Sequence, residues 1–354
     1  MRHASAYRST DGVQRLLMRT ASGHHTGPTR GTSPFEHVYT YMSTSWSADQ
    51  MPDCSDRTVL VTGANSGLGF EATKSFAANG ATVIMACRSA ERGHEAAAEI
   101  RESVGTTGAT LAVRQCDLAS LGSIKSFAAD IKTEYDAIDI LCNNAGVMAI
   151  PRQETEDGFE KQLGVNHLGH FALTGLLLEL AVESEGESRI VTHSSGAHEA
   201  GEVDFDDLQR EQSYGKWEAY GQSKLANLLF AYELQRRLNT AGITDTISVA
   251  CHPGYAATDL QYRGPRQEGS TLRMGLMKVA NTIFGQSAQQ GALPLLYAST
   301  APDAQGGDYY GPGGALNMRG APEKQSSNGA SHDERDAQRL WDISEELTGV
   351  VYDF

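Results

Sequence analysis

The sequence has no Cys-x-x-Cys pair, no run of 18 apolar residues and only eight lysines among its 354 residues. Each shortage narrows what the chain can be. The five cysteines (Cys54, Cys87, Cys116, Cys142, Cys251) are scattered, mostly through apolar, strand-like stretches. That spacing argues against a zinc site or a disulfide framework and predicts reduced core thiols in a cytoplasmic protein. Without a long apolar run, no membrane span is expected. Basic charge is scarce as well, with a formal net charge of −15. Residues 1–50 hold five Arg, no Lys and three acids, a balance of +2, which leaves −17 on the remainder. A body that acidic is a poor partner for nucleic acid or an anionic membrane. The 8 Lys stand against 21 Arg. Many acids with few lysines suit a high-salt solvent, where carboxylates stay hydrated and salt screens their repulsion, so halophily is one expectation.

What is present is an apolar fraction of 40%, adequate for a core, arranged as strands alternating with helices. Residues 1–50 are rich in Ser, Thr, His and Gly without a sustained period. They read as a disordered extension or as a stretch upstream of the true start; their Arg-rich, acid-poor composition leaves a transit peptide as an alternative. The ordered pattern is expected over residues 55–354. Strands are predicted at Thr58–Thr62, Ala81–Cys87, Thr110–Cys116, Ile138–Cys142, Arg189–His193 and Thr246–Cys251. Helices are predicted at Phe70–Asn79, Ala90–Val104, Leu121–Tyr135 and Gly158–Glu183, with a further one around Tyr220 and a closing one over Asp333–Leu347. A last strand and turn are expected in 306–314. This alternation predicts a single-domain, doubly wound parallel sheet in a three-layer α/β/α arrangement, the Rossmann type.

Ligands of such a sheet gather at the carboxyl ends of its strands, and the unusual residues of this chain fall there. Gly63, Asn65, Ser66, Gly67, Leu68 and Gly69 form a glycine-rich turn between the first strand and its helix. Glycines let a backbone approach a pyrophosphate closely, and the helix start offers free amides. A tight structural turn would use the same residues. The second strand ends at Arg88 where an acid would select the ribose 2′-hydroxyl of NAD, and a guanidinium there suits the 2′-phosphate of NADP. Ser66 supplies no second base, and Arg88 could also be a solvated residue leaving its strand.

Tyr220 and Lys224 stand four residues apart on a helix whose apolar positions include Leu225, Leu228, Leu229 and Tyr232. That spacing puts phenol and ammonium on one side. A cation within a few ångströms would draw the phenol toward its working range as a proton donor to a carbonyl or acceptor from an alcohol. Taken alone, the pair is common by chance.

Taken in order, Thr62-Gly-x-x-x-Gly-x-Gly69, Asp117-Leu118, Asn143-Asn-Ala-Gly146, Asn166, Ser195, Tyr220-x-x-x-Lys224 and Pro253-Gly254 resemble the short-chain dehydrogenase/reductase family. The likeness spans about Arg57 to Leu260. It implies a tetrad: Tyr220 as acid/base, Ser195 bonded to the substrate carbonyl, Lys224 on the nicotinamide ribose and Asn166 holding a water. It further implies Asp117 and Leu118 at the adenine, Asn144, Ala145 and Gly146 along the cofactor, Pro253 and Gly254 beside it, and Thr258 near the nicotinamide amide. The resemblance also implies an enzyme interconverting a carbonyl and an alcohol, and Arg88 makes NADP the expected cofactor, with NAD the lesser choice. Ser194-Ser-Gly-Ala-His198, Phe205-Asp-Asp-Leu208 and His252-Pro-Gly-Tyr255 look like the retinol-dehydrogenase-like branch, which includes the WW-domain oxidoreductases. The membrane-anchoring helix of many retinol dehydrogenases and a preceding WW domain are both missing from the pattern. A lipophilic substrate is expected, covered by residues 259–286, whose Met and aromatic side chains suit an adaptable apolar wall. Pairing of two chains through the Gly158–Glu183 and Tyr220 helices is a family habit and gives a possible homo-oligomer. A protochlorophyllide-reductase-like activity and a non-catalytic NADP sensor are the competing readings. His167, His170, His193, His198 and His252 lack the spacing of a metal site, and no metal is expected.

Overall fold

The computed structural model describes residues 45–255 and 286–354. The N-terminal stretch up to residue 44, Thr258 and the segment 259–285 lie outside the described residues. Eight strands form one sheet: β1 Thr58–Thr62, β2 Thr82–Cys87, β3 Thr110–Gln115, β4 Ile140–Asn143, β5 Ser188–His193, β6 Thr246–Cys251, β7 Tyr309–Pro312 and β8 Pro322–Lys324. Their order is β3-β2-β1-β4-β5-β6-β7-β8. All neighbours are parallel except β7 and β8, which pair antiparallel with Tyr310 opposite Lys324. The order reverses between β1 and β4, so a crevice opens at their carboxyl ends.

The helices are α1 Gly67–Ala78, α2 Ala90–Val104, α3 Leu121–Glu134, α4 Lys161–Val182, α5 Lys216–Ala241, α6 Ala288–Thr300 and α7 Glu334–Thr348. Two apolar layers flank the sheet. One joins Val59, Val61, Val83 and Met85 to Phe76, Ile100, Leu295 and Leu296. The other joins Leu60, Ile84 and Leu141 to Ile124, Phe127, Phe171, Phe230 and Trp341. Strand residues alternate between the two, as a parallel sheet covered on both faces requires.

Local signals explain most boundaries. Ser89 caps α2 by accepting the Arg92 N–H, and α5 ends at Gly242 in the left-handed region at φ +75°. The helix expected at Phe70 begins at Gly67, because the glycines form its first turn and the Phe70 N–H reaches the Ser66 carbonyl at 3.3 Å. The strand expected at Ile138 begins at Ile140, since the Asp139 carboxylate accepts from the Thr58 N–H at 2.7 Å and from Arg57 at 3.0 Å. Helix α6 and the antiparallel β8 carry no strong sequence signal and were not expected.

Helix α4 is long and apolar enough to cross a bilayer by length and composition, yet 78% of that window is buried inside the fold. It contains one π-type turn, Gly164–Leu168. Part of α4 and α5, the two helices named for pairing, is covered within the chain by α7 and the last residues. Trp341 and Tyr352 pack on Phe171 and Phe230, and the Tyr352 hydroxyl donates to the Phe171 carbonyl at 2.7 Å.

Candidate active site

A cleft runs over the carboxyl ends of β1, β2, β3 and β4. It is lined by Thr62, Gly63, Asn65–Gly69, Ala86, Arg88, Ser89, Arg92, Cys116–Ala119, Asn144–Val147, Lys161 and Val165. The turn after β1 depends on glycine. Gly63 and Gly67 have φ of +69° and +56°, and a Cβ on Gly69 would lie 2.6 Å from the Asn144 Nδ2 and overlap the Gly63 carbonyl. Below the turn, the Thr62 Oγ1 accepts the N–H groups of Asn144 and Ala145, each at 2.9 Å, while the Asn144 Nδ2 donates to the Thr62 carbonyl at 2.7 Å. These bonds lock the loop after β4 to the end of β1. Asp117 is held at the mouth of β3, its N–H donating to the Ser123 Oγ at 2.9 Å.

At the far end of this cleft two guanidinium groups, Arg88 and Arg92, flank the start of α2. Among the described residues neither forms an ion pair with a carboxylate. Arg92, Ser89, Lys161 and Val165 join the site without having been expected. Arg92 lies one helical turn beyond the capping Ser89, and Lys161 and Val165 lie on α4 just before Asn166; those spacings were the available signals.

The tetrad expected from the resemblance is brought together. Tyr220 and Lys224 are both buried on α5, and the Lys224 Nζ stands 5.9 Å from the Tyr220 ring centroid. The Ser195 hydroxyl lies near enough to the Tyr220 phenol to favour its ionised form, and it accepts the Ala197 N–H at 3.2 Å. Asn166 sits on the π-type turn of α4. Its Oδ1 accepts the Val147 N–H at 2.8 Å, and its Nδ2 donates to the Val147 carbonyl and the Ser223 Oγ, each at 2.9 Å. Its side chain is therefore committed to protein partners, and its placement ties the loop after β4 to α5. Gly146 sits between the two halves: a Cβ there would be 3.1 Å from the Asn166 Oδ1 and 3.7 Å from the Lys224 Nζ.

The electrostatics differ from the sequence expectation in one respect. Burial pushes the Tyr220 phenol above its ordinary range, and the nearby Ser195 hydroxyl is what draws it down. The Lys224 ammonium, 5.9 Å from the ring centroid, makes its hydrogen bond to the His193 carbonyl at 3.1 Å and not to the phenol. Burial lowers Lys224 to about 8. Pro253 and Gly254 follow on β6. Gly254 has φ +65°, where a side chain would be strained, and the Pro253 carbonyl accepts from Gln286.

A nicotinamide dinucleotide fits this donor set on structural grounds. The glycine cradle admits close backbone approach, and the N-terminus of α1 faces the cleft with a Ser66 side chain that makes no capping bond. Among the described residues no group of three or more His, Cys, Asp or Glu is placed to hold a metal.

Comparison with known proteins agrees with this geometry. The family model for short chain dehydrogenases matches residues 57–268. Retinol dehydrogenase 14 of Mus musculus is 40% identical over 306 residues, covering 83% of this chain and 86% of that protein. Retinol dehydrogenase 13 of Homo sapiens is 42% identical over 297 residues, covering 83% of this chain and 85% of its own. An uncharacterised protein from Mycobacterium paratuberculosis, solved by crystallography, superposes with a TM-score of 0.70 at 38% identity over 88% of this chain and 100% of its own. A short chain dehydrogenase from Shigella flexneri, solved in complex with NADP, shares the fold at TM-score 0.55 and 22% identity, over 73% of this chain and 98% of its own. The chain belongs to the short-chain dehydrogenase family, in its retinol-dehydrogenase-like branch, and is an oxidoreductase that acts on CH–OH groups.

Proposed function

We propose that the protein uses NADP to interconvert a lipophilic aldehyde or ketone and its alcohol. The observation that carries the cofactor choice is the pair of guanidinium groups, Arg88 and Arg92, at the end of β2 and the first turn of α2, free of carboxylate partners among the described residues. A 2′-phosphate placed between them would meet two cations and the positive end of a helix. An acid, which the 2′-hydroxyl of NAD would call for, is absent from the end of β2.

A nicotinamide cofactor, when bound, supplies or accepts the hydride. The chain's own residues supply the rest. Gly63 to Gly69 and Asn144 to Gly146 hold the dinucleotide, with Asp117 and Leu118 at its adenine end. Ser195 donates to the substrate oxygen, and Tyr220 delivers or removes the proton at that oxygen. Lys224 neighbours the nicotinamide ribose. With its affinity for a proton lowered by burial, it would approach the phenol once a polar ligand draws the ammonium from the His193 carbonyl. Asn166 keeps the loop at Val147 and helix α5 at a fixed separation. Thr258 would complete the nicotinamide end. The lipophilic substrate is supported by the two relatives named for retinol and by Trp217, which is 56% exposed at the start of α5 with its ring 6.2 Å from Tyr220.

The test pairs cofactor and substrate. NADPH and NADH oxidation are measured with aldehydes and ketones of graded chain length, on the wild type and on Arg88→Ala and Arg92→Ala. The proposal predicts preference for NADPH, turnover rising with apolar length, and loss of about tenfold in NADPH preference per arginine removed. Tighter binding of NADH than NADPH, or a preference indifferent to both substitutions, refutes the NADP assignment. Turnover that falls with chain length refutes the lipophilic one.

A further inference from the structure

Two buried imidazoles flank the loop after β4. His170 and His193 are only 1% and 3% exposed. On one side, the His170 Nδ1 lies 3.0 Å from the Asn166 carbonyl and its Nε2 lies 2.9 Å from the Thr62 Oγ1. The hydrogen inventory fixes the tautomer. The Asn166 carbonyl can only accept, so the Nδ1 carries the proton. The Thr62 oxygen already accepts from Asn144 and Ala145, so it must give its own proton to an acceptor. The His170 Nε2 is that acceptor, at 2.9 Å against 3.2 Å for the Cys142 carbonyl. On the other side, the His193 Nδ1 donates to the Asn144 Oδ1 at 3.1 Å. The His193 carbonyl accepts from the Lys224 Nζ at 3.1 Å and from the Asn227 Nδ2 at 2.9 Å.

We infer that His170 and His193 are positioning residues that couple the cofactor loop to the reacting groups, through Thr62 to Asn166 on one side and through Asn144 to Lys224 on the other. Neither imidazole touches the cleft, so neither is a catalytic residue. The His170 ring has one hydrogen bond toward Thr62 and one toward the tetrad, whereas the His193 ring bonds the loop at Asn144 through Nδ1 alone and meets Lys224 only through its backbone carbonyl. His170 occupies the carbonyl of the residue at the centre of the π-type turn, where regular helical bonding is interrupted. His193 orients the Asn144 amide so that its Nδ2 faces the Thr62 carbonyl, and its own carbonyl sets where the Lys224 ammonium rests before ligand arrives. Movement of the loop on cofactor binding is thereby transmitted to Asn166 and Lys224. The inference rests on Asn166 and Lys224 belonging to the reacting group, as proposed above.

The experiment reads NADPH affinity by fluorescence titration, turnover, and thermal midpoint in parallel. The variants are His170→Leu, His170→Gln, His193→Leu and Thr62→Val, with the double variant Thr62→Val/His170→Leu. The glutamine side chain offers one amide donor and one carbonyl acceptor, which reproduces the pair of bonds made by the neutral imidazole. Expected are losses of about tenfold in NADPH affinity for the leucine variants, the scale of one or two lost hydrogen bonds. Recovery to within about threefold is expected in His170→Gln. The double variant should bind NADPH no worse than Thr62→Val alone, because both act through one oxygen. The inference is overturned if the leucine variants lose only thermal stability while binding and turnover stay as in wild type. It is equally overturned if the losses of the double variant multiply. Should His170→Leu fail to fold, Thr62→Val, nearly the same in shape, carries the test, and wild-type affinity in that variant overturns the inference. An inactive wild type that binds NADPH would count against the proposed reaction, and the affinity cycle would still decide the coupling.

Discussion

Acid should unfold this protein in a window set by its histidines. His167, His170, His193 and His252 are all buried, and burial lowers them from 6.5 to about 3, about 4, about 3 and about 4. For His193 the Lys224 cation adds to the effect, and for His167 its neighbour His170 does. Each is depressed in the folded state, so its contribution is fully present above pH 6.5. It is lost as pH falls from there toward 3 to 4, because the unfolded chain binds the proton first. At pH 5 this removes about 2 kcal/mol of stability per histidine relative to neutral pH, and several kcal/mol for the four together. That is comparable to the whole stability of a typical domain, about 5–15 kcal/mol. Glu160, whose carboxyl is raised by burial, works in the opposite direction over the carboxylate range. Urea unfolding at pH 8, 7, 6 and 5 should give a nearly flat stability from 8 to 7 and a steep fall below 6.5. Unfolding at pH 5 should take up close to four protons, read by comparing buffers of different ionisation enthalpy, and His167→Gln should take up one fewer. Stability unchanged between pH 7 and pH 5, or proton uptake near zero, would refute the account of these side chains as neutral and locked.

Other perturbations follow from the same contacts. Gly69→Ala places a methyl group against the Gly63 carbonyl and the Asn144 amide, so NADPH affinity should drop by more than about tenfold with the fold retained, measured by titration and circular dichroism. Trp341 is 2% exposed, stacked on Phe230 at 5.8 Å and lying 4.5 Å from the Tyr352 ring. Trp341→Ala should therefore cost about 3–5 kcal/mol in urea unfolding, and a loss below 1 kcal/mol would contradict the packing of α7 on α5. The net charge of −15 with eight lysines predicts a thermal midpoint that rises from dilute buffer to molar salt, where the screening length is about 3 Å. An unchanged or falling midpoint would remove halophily as an explanation for that composition.

The sheet and the cleft were legible because each strand is a short apolar run ending at residues a sheet does not need. Gly63 to Gly69, Asn144 to Gly146 and Ser195 all lie where strand ends meet the crevice. The grouping of Asn166, Ser195, Tyr220 and Lys224 was legible through order along the chain, since Tyr220 and Lys224 alone are uninformative. The environment of those groups was not legible. The Lys224 ammonium goes to the His193 carbonyl, a residue 31 positions earlier, and no local pattern announces that bond. His170 looked structural for the same reason, since Thr62, its partner, is 108 positions away. Arg92 was passed over because it sits in a helix of ordinary composition, and only the course of β2 into α2 turns that helix's first residues toward the cleft. The antiparallel β8 is three residues long and contains a proline, below what periodicity can register. The covering of α4 and α5 by α7 and the chain end is a matter of tertiary packing, so a habit of related proteins was the sole guide to that surface.

The central claim is that Tyr220 moves the proton while the chain positions NADP and an apolar carbonyl compound around it. The most direct measurement is single-turnover NADPH oxidation by wild type and Tyr220→Phe with a medium-chain aldehyde, alongside NADPH titration of both. The account predicts that the variant binds NADPH within about threefold of wild type and loses at least about a hundredfold in rate. A phenylalanine variant that turns over at the wild-type rate would contradict it.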